Sequence, residues 1–421
     1  MARSGGRAVL YEMRPLRQTP AHKTADFAEL VCSNSLKSEQ QNSAPWLLKE
    51  ELRRLGSLLI GEIAPRARVP AGHALTVDRE IFAAEITRAI ASEPAIEIRR
   101  EEVTTLSDDH IWIIASGPLT ADALAQEIAR VTGSGRLFFY DSISPIIDAE
   151  SIDTTIAFRA SRYDKSLDGT ADYLNCPFNK EQYEAFLDAV LEAASVPAHI
   201  EEDNIRYFEA CLPIEEIARR GRDTLRFGPM KPMGLIDPRT GHRPWAVVQL
   251  RQEDARAGSY NLVGFQNHMR FGDQQRVLRM IPGLEQAEFL RFGQVHRNTY
   301  INGPALLAPT LQMRTRPEIF FAGQISGVEG YVESIATGLI AGRAAAALAA
   351  GDTPRAFPRE TAMGSLTSYV SGADPLHYQP ANITFDLLPK LENPPRDKKV
   401  RYAEVCRRAL AALEEYLCAH V

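Results

Sequence analysis

Three features of this 421-residue chain are of a kind that does chemistry: its thiols, a run of glycines and one strand-end carboxylate. Cysteines stand at Cys32, Cys176, Cys211, Cys406 and Cys418, an odd number with no C-x-x-C spacing. Neither a zinc knuckle nor a dithiol redox motif is written there, and no metal is expected. In a reducing compartment all five are expected as free thiols, and such thiols usually pack as small hydrophobes. The glycines lie in Gly323-Gln-Ile-Ser-Gly327-Val-Glu-Gly330, between an expected buried strand (319–323) and an expected helix (329–350). Three glycines there bring bare N–H groups and a helix N-terminus to a ligand. That suits a phosphate, a ribityl chain or the pyrimidine edge of a flavin, and a tight strand-to-helix turn is the plainer alternative. The carboxylate is Glu12, ending a short apolar run over 7–13 that reads as a buried strand. In dinucleotide-binding folds an acid so placed accepts hydrogen bonds from the ribose hydroxyls. The glycine fingerprint of that fold belongs about 20 residues upstream of the acid. Only eleven residues precede Glu12, and no G-x-G-x-x-G occurs; Gly133-Ser-Gly135 lacks the third glycine.

These residues need elements to position them. Ser43-Ala-Pro45 opens a helix closed by Gly56, and Asp78 caps a second with apolar positions at 82, 86, 89 and 90. Strands are expected at 95–98 and 111–115, the latter ending in Ser116-Gly117-Pro118. Alternation of strands and helices indicates α/β layering. From 120 to 300 the texture turns aromatic and rich in Pro and Gly, with a long hairpin expected from Trp245–Leu250 and Tyr260–Phe265. That stretch reads as an inserted α+β domain within a discontinuous unit of 1–120 and 300–421. Gly338, Gly342 and the alanines of 341–350 should let the helix lie close to a sheet. A basic, amphipathic helix is expected at about 397–418.

Composition excludes several classes. With 45% hydrophobic and 24% charged residues the chain is neither disordered nor collagen-like. Its length suggests two to three domains at about 150 residues each. No apolar run approaches the roughly 18 residues of a membrane span, and no signal-peptide core follows Met1, so a cytoplasmic location is expected. The net charge of −6 argues against an indiscriminate nucleic-acid coat. Locally, 243–297 carries eight arginines against five acids and 390–408 seven cations against three, each either an anion-binding face or a solvated one.

The strings Leu10-Tyr-Glu-Met-Arg-Pro15, Thr19-Pro-Ala-His22, Glu29-Leu-Val-Cys-Ser-Asn-Ser-Leu36, Val69-Pro-Ala-Gly72, Ser161-Arg-Tyr-Asp-Lys165 and Tyr173-Leu-Asn-Cys-Pro177 carry a resemblance. It continues through Phe227-Gly-Pro-Met-Lys-Pro232, Val247-Val-Gln-Leu-Arg-Gln252, His296-Arg-Asn-Thr299, Phe320-Phe-Ala-Gly-Gln324 and Gly327-Val-Glu-Gly-Tyr-Val-Glu-Ser334. From about residue 7 to its end the chain resembles the folate- and FAD-dependent tRNA (uracil-5-)-methyltransferases, the TrmFO or Gid family. The resemblance implies a Rossmann-like FAD-binding fold of the glutathione-reductase type. It also implies methylation of the T-loop uridine of tRNA, with 5,10-methylenetetrahydrofolate as carbon donor and NAD(P)H reducing the FAD. Family members begin with a strand and a glycine-rich FAD loop that this sequence lacks. An in-frame upstream extension is the expected source, and a truncated, flavin-poor tRNA-binding protein without catalysis is the alternative. An FAD-dependent thiol oxidoreductase is a third reading, opposed by the lack of close cysteine spacing.

Uracil C5 is a poor nucleophile until a thiolate adds at C6, after which it can attack a one-carbon unit. The C5 proton must then leave, and a hydride, which reduced flavin can supply, converts methylene to methyl. The resemblance marks Cys211, in Phe208-Glu-Ala-Cys-Leu-Pro213, and Cys32 as the catalytic pair. Cys211 is assigned as the attacking thiolate and Cys32 as its partner in proton transfer or thiol activation, with the reverse order open. Arg206, Arg219, Arg220 and Arg222 lie near Cys211 in sequence, suited to stabilising a thiolate or to phosphate or solvent contact. Cys176 is expected to be a buried structural thiol. The cofactor site is assigned to Glu12, Arg14, Gly117, Gly323, Gln324, Gly327, Val328, Glu329, Gly330 and Tyr331, with Glu329 and Glu333 as rival caps of the helix. His296, His268 and Arg297 are candidates for the folate or substrate side. The arginine-rich stretch 243–297 is the candidate tRNA face. No membrane contact is expected, and the sequence predicts no particular stable protein partner.

Overall fold

The computed structural model describes residues 2–19, 21–133, 137–166, 170–195 and 212–419. Two parallel strand pairs mark the α/β part. β1 (Ala8–Tyr11) pairs with β5 (Ile96–Arg99), and β6 (Trp112–Ile114) with β15 (Ile319–Phe321). Tyr11 and Trp112, at facing ends of the two pairs, have ring centroids 6.0 Å apart. β1 was expected to be buried, yet Val9 is exposed, because within the described residues β5 is the only strand paired with it. An antiparallel sheet of β2 (Ser35–Ser38), β4 (Ala74–Val77) and β3 (Arg68–Val69) carries the chain away from residues 30–34.

The helices are α1 (Ala44–Arg54), α2 (Ala64–Arg66), α3 (Arg79–Ala91), α4 (Asp122–Thr132), α5 (Lys180–Glu192), α6 (Ile214–Arg219), α7 (Thr224–Phe227), α8 (Phe271–Leu278), α9 (Gly303–Leu306), α10 (Tyr331–Ala349), α11 (Ala362–Gly372) and α12 (Lys398–Cys418). Local chemistry sets their starts. Ser43 accepts the Trp46 N–H ahead of α1, Asp78 accepts the Glu80 and Ile81 N–H groups ahead of α3, and Asp397 caps α12. α1, α3, α10, α11 and α12 share one core with β6 and β15, through residues such as Leu47, Phe82, Phe320, Phe321, Ala336, Leu366 and Leu413.

A second core lies on a six-stranded antiparallel sheet ordered β13-β8-β12-β11-β10-β9. Its strands are β8 (Ile146–Asp148), β9 (Phe158–Ala160), β10 (Tyr173–Phe178), β11 (Ala246–Gln252), β12 (Ser259–Leu262) and β13 (Phe289–Arg291). The expected hairpin forms, with Leu250 opposite Leu262 and Gln252 opposite Tyr260. β11 is central and covered on both faces, so Val247, Val248 and Leu250 are all buried. A separate antiparallel pair joins β7 (Leu137–Ser142) to β14 (Val295–Tyr300).

α10 departs from the sequence reading in two ways. Space around Gly338 and Gly342 is open, so these glycines do not bring the helix onto the sheet. Val332, Ala336, Ile340, Ala341, Ala344 and Ala345 form the packed face instead. Among the described residues α10 is also the one helix long and apolar enough, by length and composition, to cross a membrane, a match the sequence reading had not found. Here that apolar face is buried in the first core.

One buried acid yields a pH prediction. Glu51 of α1 is fully buried and accepts the backbone N–H groups of Ala362 (2.7 Å) and Met363 (2.9 Å) at the start of α11. Burial nonetheless pushes its carboxyl up to about 8, from 4.5. The folded chain therefore holds this proton more tightly than the unfolded chain. The associated stability is complete below pH 4.5 and is lost as pH rises toward 8. Chemical unfolding from pH 5 to 8 should record a loss of roughly 4 kcal/mol through this group. Glu51→Gln should flatten that slope, and an unchanged slope would exclude Glu51 as its source.

Candidate active site

Cys32 lies on the loop before β2, which is held from several directions. The Tyr331 hydroxyl, at the start of α10, is 3.1 Å from Cys32 Sγ and accepts the Cys32 N–H at 3.0 Å. With that lone pair engaged, the phenol proton is free to turn toward sulfur. Burial, with the neighbouring Cys32 sulfur adding to it, raises the Tyr331 hydroxyl well above its ordinary value. It therefore remains a hydrogen-bond donor at neutral pH.

Three arginines grip the same loop. Arg79, the first residue of α3, donates to the Leu30 carbonyl and to Glu253. Arg291 of β13 donates to the Val31 carbonyl at 2.8 Å, and Arg251 of β11 to Ser33 Oγ at 2.9 Å. Asn34 completes the attachment by donating to the Gln252 carbonyl at 3.0 Å. Burial opposes the charge on Arg79, but the Glu253 carboxylate outweighs it and raises the guanidinium. For Arg251 and Arg291 burial prevails and lowers them, although Glu253 and the Cys32 sulfur pull the other way. The sulfur thus sits in a positive, partly dry surround of the kind that favours a thiolate nucleophile. By contrast Cys176 is fully buried, and burial pushes its thiol strongly up; Cys406 is pushed up to about 12. Cys418 is exposed.

The glycine segment lies directly before Tyr331. Gly323 (φ +73°) donates its N–H to Thr337 Oγ1 at 2.8 Å, and a side chain there would touch nothing closer than Ser334 at 3.8 Å. Gly327 (φ +94°) differs: an added methyl would overlap the Tyr378 hydroxyl, which donates to the Ser326 and Gly327 carbonyls at 3.1 Å each. Val328 is buried, and Gln324 donates to Glu329 at 2.6 Å. Glu333 accepts from Lys37 Nζ (2.5 Å) and from the Ile383 N–H (2.9 Å). Neither acid caps α10, whose N-cap residue Gly330 makes no side-chain cap hydrogen bond. That uncapped end and the gap at Gly323 fit the edge of a flavin. Gly117, in the turn after β6, likewise has open space around it.

Glu12 and Arg14 are engaged with each other. Arg14 donates to both Glu12 oxygens (2.9 Å from its Nη2), to Glu29 (3.2 Å) and to the carbonyls of Thr24 and Asp26. Burial would raise the Glu12 carboxyl, but Arg14 overcomes this and holds it low. All the guanidinium N–H directions of Arg14 are committed within the protein, so Arg14 is a positioning residue rather than a cofactor donor. Glu12 stays ionised and retains acceptor capacity for hydroxyl groups.

Other sequence assignments are distributed differently. His268 is taken up by Glu215 (2.9 Å) and Glu216 (3.5 Å) of α6, and so serves the second core rather than the Cys32 loop. Arg219 pairs with Glu216, and Arg222 with Glu184 and Asp188, so these two do not form a free cationic surround. Within 243–297, Arg251, Arg279 and Arg291 donate to protein groups and Arg276 pairs with Asp273; Arg256 and Arg270 are exposed. The backbones of His296 and Arg297 lie opposite Asp141 and Tyr140 in β14. Their side chains, together with Cys211 and Arg206, lie outside the described residues. Sequence reasoning missed Arg79 and Glu253, whose contact spans 174 residues, and placed Arg251 in the candidate tRNA face, whereas it donates to Ser33 beside Cys32.

Residues 1–353 match the family described as glucose inhibited division protein A. The chain is 72% identical over 421 residues to the methylenetetrahydrofolate–tRNA-(uracil-5-)-methyltransferase TrmFO of Solibacter usitatus, covering 99% of this chain and 94% of that one. Identity to the protein of the same description from Koribacter versatilis is 63%, with the same coverage. The Aquifex aeolicus GidA structure in its form II crystal superposes with a TM-score of 0.66 over 99% of this chain and 72% of that chain. At 15% identity this likeness is one of fold.

Two stability predictions follow from the geometry. Arg79→Ala leaves the buried Glu253 carboxylate without its hydrogen-bonded ion-pair partner and should cost about 3–5 kcal/mol in urea unfolding. A loss below about 1 kcal/mol would show that the pair does not hold the loop. Gly323→Ala should cost only backbone strain, about 1–3 kcal/mol. Gly327→Ala adds the clash with Tyr378 and should cost more, and Tyr378→Ala should recover part of that loss alone.

Proposed function

Because the chain belongs to the TrmFO family of methylenetetrahydrofolate–tRNA-(uracil-5-)-methyltransferases, we propose that it methylates C5 of the T-loop uridine of tRNA, with Cys32 and Cys211 as the thiol pair. Methylenetetrahydrofolate supplies the carbon in this reading, and NAD(P)H is the reductant. The observation that carries it is the Cys32 cluster, a thiol held by a phenol and encircled by three guanidinium groups.

Cys211 is assigned the attack on uracil C6, which pushes electron density to C5 and lets that carbon bond to the methylene group, whose bonds to the folate nitrogens break to release tetrahydrofolate. Cys32, supported by Tyr331, takes part in moving the C5 proton or in activating the other thiol. Addition of hydride to the methylene carbon on C5 then pushes its electron pair back into the ring, expels the sulfur from C6 and restores the C5–C6 double bond. Bound FAD, once reduced, supplies hydride. Glu12, Gly117 and the turn Gly323, Gln324, Gly327, Val328, Glu329, Gly330 and Tyr331 would hold it, with Arg14 steadying Glu12. His296 and Arg297, on β14, are proposed for the folate or substrate side. The discontinuous unit of 1–120 and 300–421 would bind cofactor and the insert of 120–300 would present RNA, a division supported by the two separate cores. A cytoplasmic site of action belongs to the same reading.

The test is a reaction with T-arm RNA, FAD, NADPH and methylenetetrahydrofolate labelled in the transferred carbon. Label should appear at uracil C5, and its absence rejects the activity. Cys211→Ala should abolish covalent trapping of 5-fluorouracil-containing RNA. If trapping persists in Cys211→Ala and vanishes in Cys32→Ala, the two thiols exchange roles.

A further inference from the structure

Beside the Cys32 loop lies a cleft of about 270 Å³ lined by Lys23, Phe271, Leu290, Arg291 and Phe292, with no acidic side chain in its wall. Two of its lining rings, Phe271 and Phe292, belong to a stack that continues behind the wall to Phe289. Phe289 and Phe292 have centroids 5.0 Å apart with 19° between their planes, and Phe292 and Phe271 are 5.2 Å apart at 25°. The outermost ring remains in water: Phe271 is 54% exposed and Leu290 53%. An exposed apolar patch of this kind marks a binding surface more often than chance. Lys23 is also exposed, as is Arg270, the residue that precedes Phe271. Arg291 joins the cleft to the thiol, since the same side chain holds the carbonyl of Val31, next to Cys32.

We propose that this cleft receives an unstacked base of the RNA loop, laid on the Phe271–Phe292 ladder, while Lys23 and Arg270 meet the flanking phosphates. The proposal rests on the tRNA reading above and assigns that substrate a second point of contact, separate from the reacting uridine. Aromatic rings with adjacent cations are how proteins hold splayed loop bases, because every base presents a π-face and every linkage a negative charge. Size favours the same occupant. Drug-sized ligands fill cavities of about 300–1,000 Å³, so this cleft suits one base better than an entire folate. Holding a neighbour of the target would also keep the loop open while the uridine is drawn out of its stack.

The test compares two hairpins with the full chain at fixed salt. One carries a normal T-loop with 2-aminopurine at single positions, and the other has the same stem closed by abasic residues. Phe271→Ala should weaken binding of the first by about tenfold and leave the second unchanged. Phe271→Trp should retain affinity and quench 2-aminopurine at one loop position, which provides a readout if the alanine variant folds poorly. Equal weakening for both hairpins, or none for either, overturns the proposal. So does a dimer that dissolves in Phe271→Ala while RNA binding is untouched, because the face would then serve a second copy of the chain. If the unaltered protein binds neither hairpin, the tRNA reading itself fails.

Discussion

The ion pair between Arg79 and Glu253 is the contact on which the arrangement turns. It joins the first residue of α3, in one core, to the end of β11, on the sheet of the other, and its guanidinium also holds the Leu30 carbonyl. Both charges are largely withdrawn from water. Such a pair adds little net stability compared with an apolar substitute, but breaking it strands a charge. Its contribution is therefore positional. Arg251 and Arg291, on β11 and β13 of the same sheet with two strands between them, extend the grip to residues 33 and 31. The Cys32 thiol thus takes its place from groups belonging to both cores, and its electrostatic surround comes from the same three side chains.

A similar economy governs the start of α10. The glycine turn between β15 and that helix admits the chain's own groups at Gly327, where Tyr378 fills the space a side chain would need. Only Gly323 keeps an opening. Tyr331 follows at once, so one turn of backbone carries a helix start without a side-chain cap and a phenol to Cys32. The glycine turn and the thiol are brought close because Tyr331, the first residue of α10, reaches Cys32.

The arginine-rich stretch shows how composition misleads when read as a surface. Its eight arginines suggest a continuous anion-binding face. In the fold Arg251, Arg279 and Arg291 turn to a hydroxyl and to carbonyls of the protein, and Arg276 pairs with Asp273 at the surface. The exposed cations that remain there, among them Arg256 and Arg270, are fewer, and Lys23, distant in sequence, lines the cleft beside Phe271. Arginine's five donors and long stem let it span elements as readily as it faces solvent, and charge counting does not distinguish these uses.

Much was legible from the chain alone, wherever the cause was local. Helix starts at Ser43, Asp78 and Asp397 follow from side chains that satisfy nearby N–H groups, and the hairpin of β11 and β12 follows from apolar runs and their separation. The glycine turn, the strand-end Glu12 and the candidate thiols were readable as residue types with spacing. Tertiary structure alone decided which partners they received: that Arg14 occupies Glu12, that His268 belongs to Glu215, that Tyr331 reaches Cys32 across 299 positions, and that Gly338 and Gly342 face open space. The physical reason is range. Capping, turn and propensity energies act within a few residues and leave a mark in sequence order, whereas a buried charge pair or a shared hydroxyl depends on where distant segments meet, which no local spacing encodes.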